Sequence, residues 1–545
     1  MSPIHIPIHY PNHKFIVGAA KIIRTTRIVR LASIAFMATT IWNLLWVFTS
    51  LNLGSGGQIA LTVLFVTATL MVCLYGIINV INTWHFRVAT PKLFTAGNKP
   101  TIAIIIPVYG EAIAIVKNTV KSVLLQEWPA SRMIIVVTDD GRSDELKAAI
   151  ETMAERSAAK LLYFRPPKKD DPARKGEAKA GNLNGAVEFV IGEYPYVQYI
   201  ETRDADDLVG NKNFISHCIE YLEAYPYTSF VQTIKQCRVS DGDPFCNNES
   251  LFYQRSMPAR FASNAVFPCG SGLVWRLREL QRIDGFPSWN LVEDLHSGYE
   301  ILRRGGEGAF LPIVGAVGQI APEDIPNFYK QRGTWALDTL RLFYYRNPLL
   351  TKGLTVMQRL QFMEIQFSYL LSFAIAIFLF EMVIGLNLGV TPIVSSGTNF
   401  FLHLLLLAVA LEVHMVARAR GISYREQWTA RQTWLGLMPV FMASSIRALW
   451  YGPHRKPSYK VTRKYHKVGW YWRETMVQAG IILVLILSVL HSLIDPQTEL
   501  WRNLGLQFWS VFFVYGFSRV VINSWHNYKP TLRKPSLDSA QATSI

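Results

Sequence analysis

Two kinds of sequence alternate along this chain, and together they predict an α/β domain set between transmembrane α-helices. Apolar stretches of about 20 residues occur towards both ends, each long enough to cross a hydrocarbon core of about 30 Å. Between them, short β-branched runs alternate with helical patterns, as in a mostly parallel sheet with ligands at the carboxyl ends of its strands. Composition is the third observation. Of 545 residues, 50% are hydrophobic and only 17% charged, against roughly 25% charged in a soluble domain, and the mean hydropathy is +0.18.

The membrane part is expected to hold about six spans plus interfacial helices. Residues 1–27 are polar and basic, and 28–82 contain two spans joined by L-N-L-G-S-G-G. After a soluble domain at 95–346 come an interfacial segment and two spans at 347–431. Residues 432–473 read as one interfacial helix, carrying Pro439 and Arg447, followed by a basic loop. Two more spans occupy 474–524, and 525–545 form a tail.

The net charge of +16 tests this topology. It fits a nucleic-acid binder, a surface for anionic substrates or the basic loops of a membrane protein. A cytosolic α/β domain confines Lys and Arg to 1–30, 82–360, 418–474 and 525–545. The links 51–57, 387–399 and 494–500 contain neither, while 418–474 is densely basic. The pattern obeys the positive-inside rule, places both termini in the cytosol and excludes nucleic acid as partner. Five cysteines, an odd number without metal-like spacing, suit a reducing compartment. The N-terminus lacks a signal-peptide pattern, so a multi-pass protein of the plasma (inner) membrane is expected.

Within the domain, 101–108 is a continuous β-branched run, and further strands are expected at 133–138, 160–164, 196–202 and 229–234. Acidic residues close two of them: Asp139-Asp140-Gly141 and Asp204-Ala205-Asp206. Aspartates bracketing one residue can hold Mg²⁺ or Mn²⁺ together with substrate phosphate, although acidic loops are more often merely solvated. Lys179, amid small residues in G-E-A-K-A-G-N-L-N-G, suits a diphosphate, or only a turn before a helix. Asp294 begins a helix with Leu295, Tyr299 and Leu302 at core spacing. There a carboxylate serves the helix dipole or, more rarely, acts as a base.

Taken in order, P-V-Y-G-E (107–111), D-D-G (139–141), K-A-G-N-L-N (179–184), D-A-D (204–206), C-G-S-G (269–272), V-E-D (292–294), Q-R-G-T-W (331–335) and R-K-P-S-Y-K-V-T-R-K (455–464) resemble the processive family-2 membrane glycosyltransferases. Cellulose synthase is closest in pattern, with hyaluronan and chitin synthases as relatives. The resemblance implies a GT-A-like domain using a UDP-sugar. Tyr109, Glu111, Asp139 and Asp140 would face the uridine, with Lys179, Gln331 and Arg332 also on the nucleotide-sugar. Asp204 and Asp206 would hold nucleotide and Mg²⁺ or Mn²⁺, and Asp294 would be the base. Trp335, Glu293 and Cys269 would line the acceptor site. Tyr459, Val461, Thr462, Arg463 and Lys464 resemble a gating loop that closes over the donor.

Two departures stand out. Thr334 stands where the family's Q-x-x-R-W has arginine, for which Arg332, Arg463 or Lys464 would substitute. The chain also has no room for the C-terminal cyclic-di-GMP domain usual in bacterial cellulose synthases, so regulation by that route in cis is not expected. The implied function is processive, inverting β-glycosyl transfer from UDP-glucose to a growing polysaccharide that leaves through the bilayer. Alternatives are transfer to a lipid carrier, a polymer such as hyaluronan or chitin, or a transporter whose acidic domain only binds nucleotide. Accessory export subunits, sugar and linkage are not legible.

Overall fold

The structure is a computed structural model and describes residues 19–239, 243–453, 455, 469–494 and 500–525. Among these, six helices are long and apolar enough to span a membrane: Thr25–Thr49, Gly56–Asn82, Val356–Leu388, Gly397–Arg418, Trp472–Ile494 and Asn503–Ser524. They match the six expected stretches. The 424–451 region does not span. It forms two helices, Tyr424–Gly436 and Met438–Tyr451, instead of the single interfacial helix expected. Pro439 lies in the first turn of the second helix, where a missing N–H costs nothing.

The α/β domain is built on β1 (Ile102–Val108), β2 (Met133–Asp139), β3 (Lys160–Phe164), β4 (Tyr199–Thr202), β5 (Asp207–Val209), β6 (Thr228–Cys237), β7 (Leu273–Arg276) and β8 (Glu307–Gly318). These form one sheet in the order β3-β2-β1-β4-β7-β6-β8-β5. Every residue of β1 and β2 is buried, which explains their unbroken apolar runs. The β3-β2-β1-β4 half is parallel. Beyond β4 the sheet is mixed, because β7 runs antiparallel to both β4 and β6, and β5 antiparallel to β8. The mostly parallel expectation therefore holds for one half. β5 and β7 are too short to leave a periodic signal, so sequence reading missed them.

Polar contacts fasten this domain to the membrane helices. Arg260 Nη1 donates to the Gln361 carbonyl at 3.0 Å, at the start of the third span. Asn79 and Asn82 of the second span each donate to Glu364 at 2.7 Å. Ion-capable groups inside an apolar bundle persist when paired like this.

The helix Ile325–Tyr345 is capped by Asp324, which accepts from Asn327 N at 2.8 Å. It packs along Met438–Tyr451, and Ser444 Oγ donates to the Gly333 carbonyl at 3.1 Å. Arg341, fully buried, pairs with Asp338 and donates to the carbonyls of Gly452 (3.1 Å) and Arg455 (2.7 Å). One guanidinium thus joins this helix to the chain after Tyr451. Arg341→Met should cost about 3–5 kcal/mol, because Asp338 is left as a lone buried charge. Thermal unfolding of detergent-purified protein, followed by tryptophan fluorescence, checks this. Arg341→Met with Asp338→Leu should recover much of the loss.

Candidate active site

A cavity of about 960 Å³ opens at the carboxyl ends of β1 and β4 and reaches the membrane helices. Tyr109 stands at one end, Lys179 and Asp294 in the middle, and Trp335, Tyr369 and Glu364 towards the bilayer.

The two adjacent aspartates after β2 have different fates. Asp139 is buried and does not line the cavity. It accepts from Gly141 N (2.8 Å), Ser143 N (2.7 Å) and Tyr163 Oη (2.8 Å), which shapes the turn. Asp140 lines the cavity and takes a two-pronged ion pair from Arg174, at 2.8 and 3.0 Å. Tyr109 is exposed, with the Lys169 ammonium 4.9 Å from its ring centroid. Glu111 accepts from Tyr109 N at 2.6 Å. An aromatic face beside fixed charges suits a nucleobase.

K-A-G-N-L-N opens the helix Ala178–Glu193. Its asparagines hold the framework: Asn182 donates to the carbonyls of Thr138 (3.0 Å) and Val108 (3.3 Å), joining the ends of β1 and β2. Asn184 donates to the Lys175 and Phe286 carbonyls, both at 2.8 Å. A Cβ on Gly181 would lie 2.0 Å from the Gly176 carbonyl, so the turn admits no side chain there. Lys179 is thereby aimed into the cavity, 2.5 Å from Asp204 Oδ1 and 3.4 Å from Glu293 Oε1.

The D-A-D turn is braced from below by Arg203, which is fully buried. It pairs with Glu201 at 2.6 Å and donates to the Leu208 and Gly315 carbonyls, both at 3.0 Å. Ser271 of C-G-S-G accepts from Asp204 N at 3.2 Å. A second ammonium, Lys235 from β6, lies 2.7 Å from Asp204 Oδ2 and 2.7 Å from Asp207 Oδ2. Nothing in T-I-K-Q-C marks this lysine in the sequence. Burial works to raise the Asp204 carboxyl, but the two ammoniums outweigh it and hold it well below the usual range. Burial pulls both lysines down, but the carboxylates around them, Asp204 foremost, lift both above their ordinary range.

Among the described residues, no group of three or more His, Cys, Asp or Glu side chains is placed to hold a metal ion. Asp204 and Asp206 supply two carboxylates. That suffices for Mg²⁺ or Mn²⁺ when substrate phosphates complete the shell. The donor set therefore fits a cation that arrives with a diphosphate.

Glu293 and Asp294 form the first turn of the helix Glu293–Arg303. A Cβ on Gly270, whose φ is +80°, would sit 3.1 Å from Asp294 Oδ2 and 3.2 Å from Lys179 Nζ. The glycine thus lets acid and ammonium converge on one spot. Burial, then the Glu293 charge, pushes the Asp294 carboxyl up to about 7, with Lys179 opposing. A carboxyl poised there can exchange a proton near neutrality.

Cys269 and Gln331 line the same cavity. Trp335 is 39% exposed, enough of its face to stack on a sugar ring. Arg332 is otherwise engaged: it pairs with Glu249 and lies 4.6 Å from the Trp335 ring centroid. Thr334 Oγ1 donates to the Lys330 carbonyl within its own helix. Tyr459, Val461, Thr462, Arg463 and Lys464 lie outside the described residues.

A twisted sheet whose parallel half ends in paired carboxylates, with a lysine and a poised acid over them, defines a GT-A-like nucleotide-sugar fold. The chain matches Glycosyl transferase family 2 over residues 103–279, a stretch flanked by membrane-length helices. It is 27% identical over 388 residues to the UDP-forming cellulose synthase catalytic subunit of Pseudomonas fluorescens (strain SBW25), covering 69% of this chain and 49% of that one. To the cellulose synthase 1 catalytic subunit of Komagataeibacter xylinus it is 29% identical over 290 residues, 51% of this chain and 36% of the relative. The chain thus spans half or less of these relatives' length. Among solved structures, the mannosyltransferase PcManGT from Pyrobaculum calidifontis, in complex with GDP-Man and Mn²⁺, aligns over 72% of this chain and 98% of its own, at TM-score 0.48 and 18% identity.

The raised Asp294 carboxyl has a consequence for stability. Its contribution is complete below its ordinary 3.8 and is lost as pH rises through about 7. Asp294→Asn should therefore melt a few degrees above the parent at pH 8. The difference should close by pH 4, and paired thermal scans at both pH values test this.

Proposed function

We propose that the chain is a processive, inverting β-glycosyltransferase that extends a polysaccharide from a UDP-sugar at the cytosolic face of the membrane. UDP-glucose and a β-glucan product are the first choice, on the likeness to cellulose synthase catalytic subunits. The single observation that carries the reading is the convergence of Asp294, Lys179 and Asp204 in a cavity that continues past Trp335 to polar residues of the membrane helices.

The chemistry follows from the placement. An acceptor sugar stacked on Trp335 presents a hydroxyl to Asp294, whose carboxylate takes the proton. The freed oxygen attacks the anomeric carbon from the side opposite the diphosphate. The bond from that carbon to the phosphate oxygen breaks, and UDP departs with the electron pair. Lys179 meets the developing negative charge, in a site where burial strengthens the interaction. Asp204 and Asp206 would hold a divalent cation together with the diphosphate, and that cation would supply positive charge to the leaving group. The product then lies against Trp335 and Tyr369, at the entrance to the bilayer, where the next transfer and export share one path.

A purified enzyme offered several UDP-sugars, with products sized on a gel and digested by linkage-specific hydrolases, tests the reading. Long polymer supports it, and a single-sugar adduct on lipid identifies the lipid-carrier alternative. Asp294→Asn should lower transfer by about 10²–10⁴-fold while UDP affinity stays close to the parent's. In the parent, kcat should fall as pH drops through about 7 and Asp294 takes up its proton. A variant that keeps half the parental turnover places the base elsewhere.

A further inference from the structure

Two lysines from separate elements converge on one carboxylate, more than its neutralisation needs. Lys179 holds Asp204 Oδ1, and Lys235 holds Oδ2 while also reaching Asp207. Asp207 is 1% exposed, and neither of its carboxyl oxygens accepts a hydrogen bond, Oδ2 meeting Lys235 only as an ion pair at 2.7 Å. Lys235 is a quarter exposed and lines the cavity beside Asp206. One ammonium is thus stationed on Asp204, one of the two acids that a diphosphate-bound cation would use, and its side chain lines the cavity.

We infer that Lys235 is a ligand of the leaving group whose ammonium rests on Asp204 and Asp207 until the donor arrives. It then leaves Asp204 for the diphosphate as the accompanying cation takes its place. The inference rests on the proposed function, in that the ligand is a nucleoside diphosphate. Charge favours the exchange. A UDP-sugar carries two negative charges, so with one divalent cation it enters as a nearly neutral unit, and the buried cluster keeps its balance. Without nucleotide, ammonium and cation compete for the same oxygens, so the free protein holds the cation weakly. Nucleotide and cation then each strengthen the other's binding, a reciprocal coupling.

The competition separates this role from a structural one. In Lys235→Met the carboxylates lose their resident ammonium. Mn²⁺ affinity without nucleotide, read from the free-Mn²⁺ resonance signal, should rise about fivefold or more. UDP affinity in Mg²⁺, read by calorimetry, should fall about tenfold, the value of one charge-assisted hydrogen bond. Lys235→Arg should restore part of the UDP affinity. A lysine that only balances Asp207 would move both affinities down or neither, and any pattern other than the opposed pair overturns the inference. Lys235→Met with Asp207→Asn guards against misfolding, because it removes the buried carboxylate along with its partner. The same opposed shifts are expected there. A parent protein that binds no UDP in Mg²⁺ overturns the proposed function and this inference together. A parent that binds UDP, with variants lacking the opposed shifts, overturns the inference alone.

Discussion

The structure depends on keeping several carboxylates together at the end of a buried sheet. Asp204, Asp207, Glu293 and Asp294 come from one turn, the start of β5 and one helix, and like charges at this density repel strongly away from water. Lys179 is the common counter-charge: it touches Asp204 and Glu293 and approaches Asp294 across Gly270. Its own position requires Gly181 and Gly176 to pack without side chains, and Asn182 to tie β1 to β2. The motif K-A-G-N-L-N is therefore mostly scaffold around one functional lysine.

That constraint explains how the charge is divided. With Lys179 and Lys235 on Asp204, this acid stays ionised, while Asp207, more deeply buried and with only Lys235 opposing, is raised by burial. Asp294 is raised as well, to about 7, by burial first and then by the Glu293 charge. One cluster thus holds an acid that stays charged, suited to a cation, and one that exchanges protons near neutrality, suited to a base. Environments that push like groups apart are how a site separates such roles.

Much of this was legible in the sequence, for physical reasons that also mark where legibility ends. Long apolar runs and fully buried strands leave unbroken signals, so the six spans, β1 and β2 could be placed from residues alone. Carboxylates at strand ends stand out for the same reason, since they interrupt apolar runs. What pattern cannot give is direction. Successive side chains leave a strand end on opposite sides, so D-D-G cannot say that Asp139 turns inward to Tyr163 while Asp140 faces the cavity. Nor can it supply partners from distant segments. Arg174 for Asp140, Glu249 for Arg332 and Lys235 for Asp204 each depend on how loops and strands are brought together. Lys235 is the clearest case, because strand order alone carries β6 past β7 to the D-A-D turn.

The replacement of the family arginine by Thr334 becomes intelligible on these terms. Thr334 bonds back to its own helix, and Arg332, two residues before it, is neutralised by Glu249 and packed on Trp335. The guanidinium is therefore committed to the Trp335 ring, and its charge is already answered by Glu249. On the proposed function, Lys179 and Lys235, both on Asp204, would answer the charge of a departing diphosphate. A lysine is a compact point charge that can move between carboxylate and phosphate, whereas an arginine fork fixes one planar geometry. On the inferred role, Lys235, held by β6 between two aspartates, would supply the charge that the resemblance assigns to an arginine at position 334.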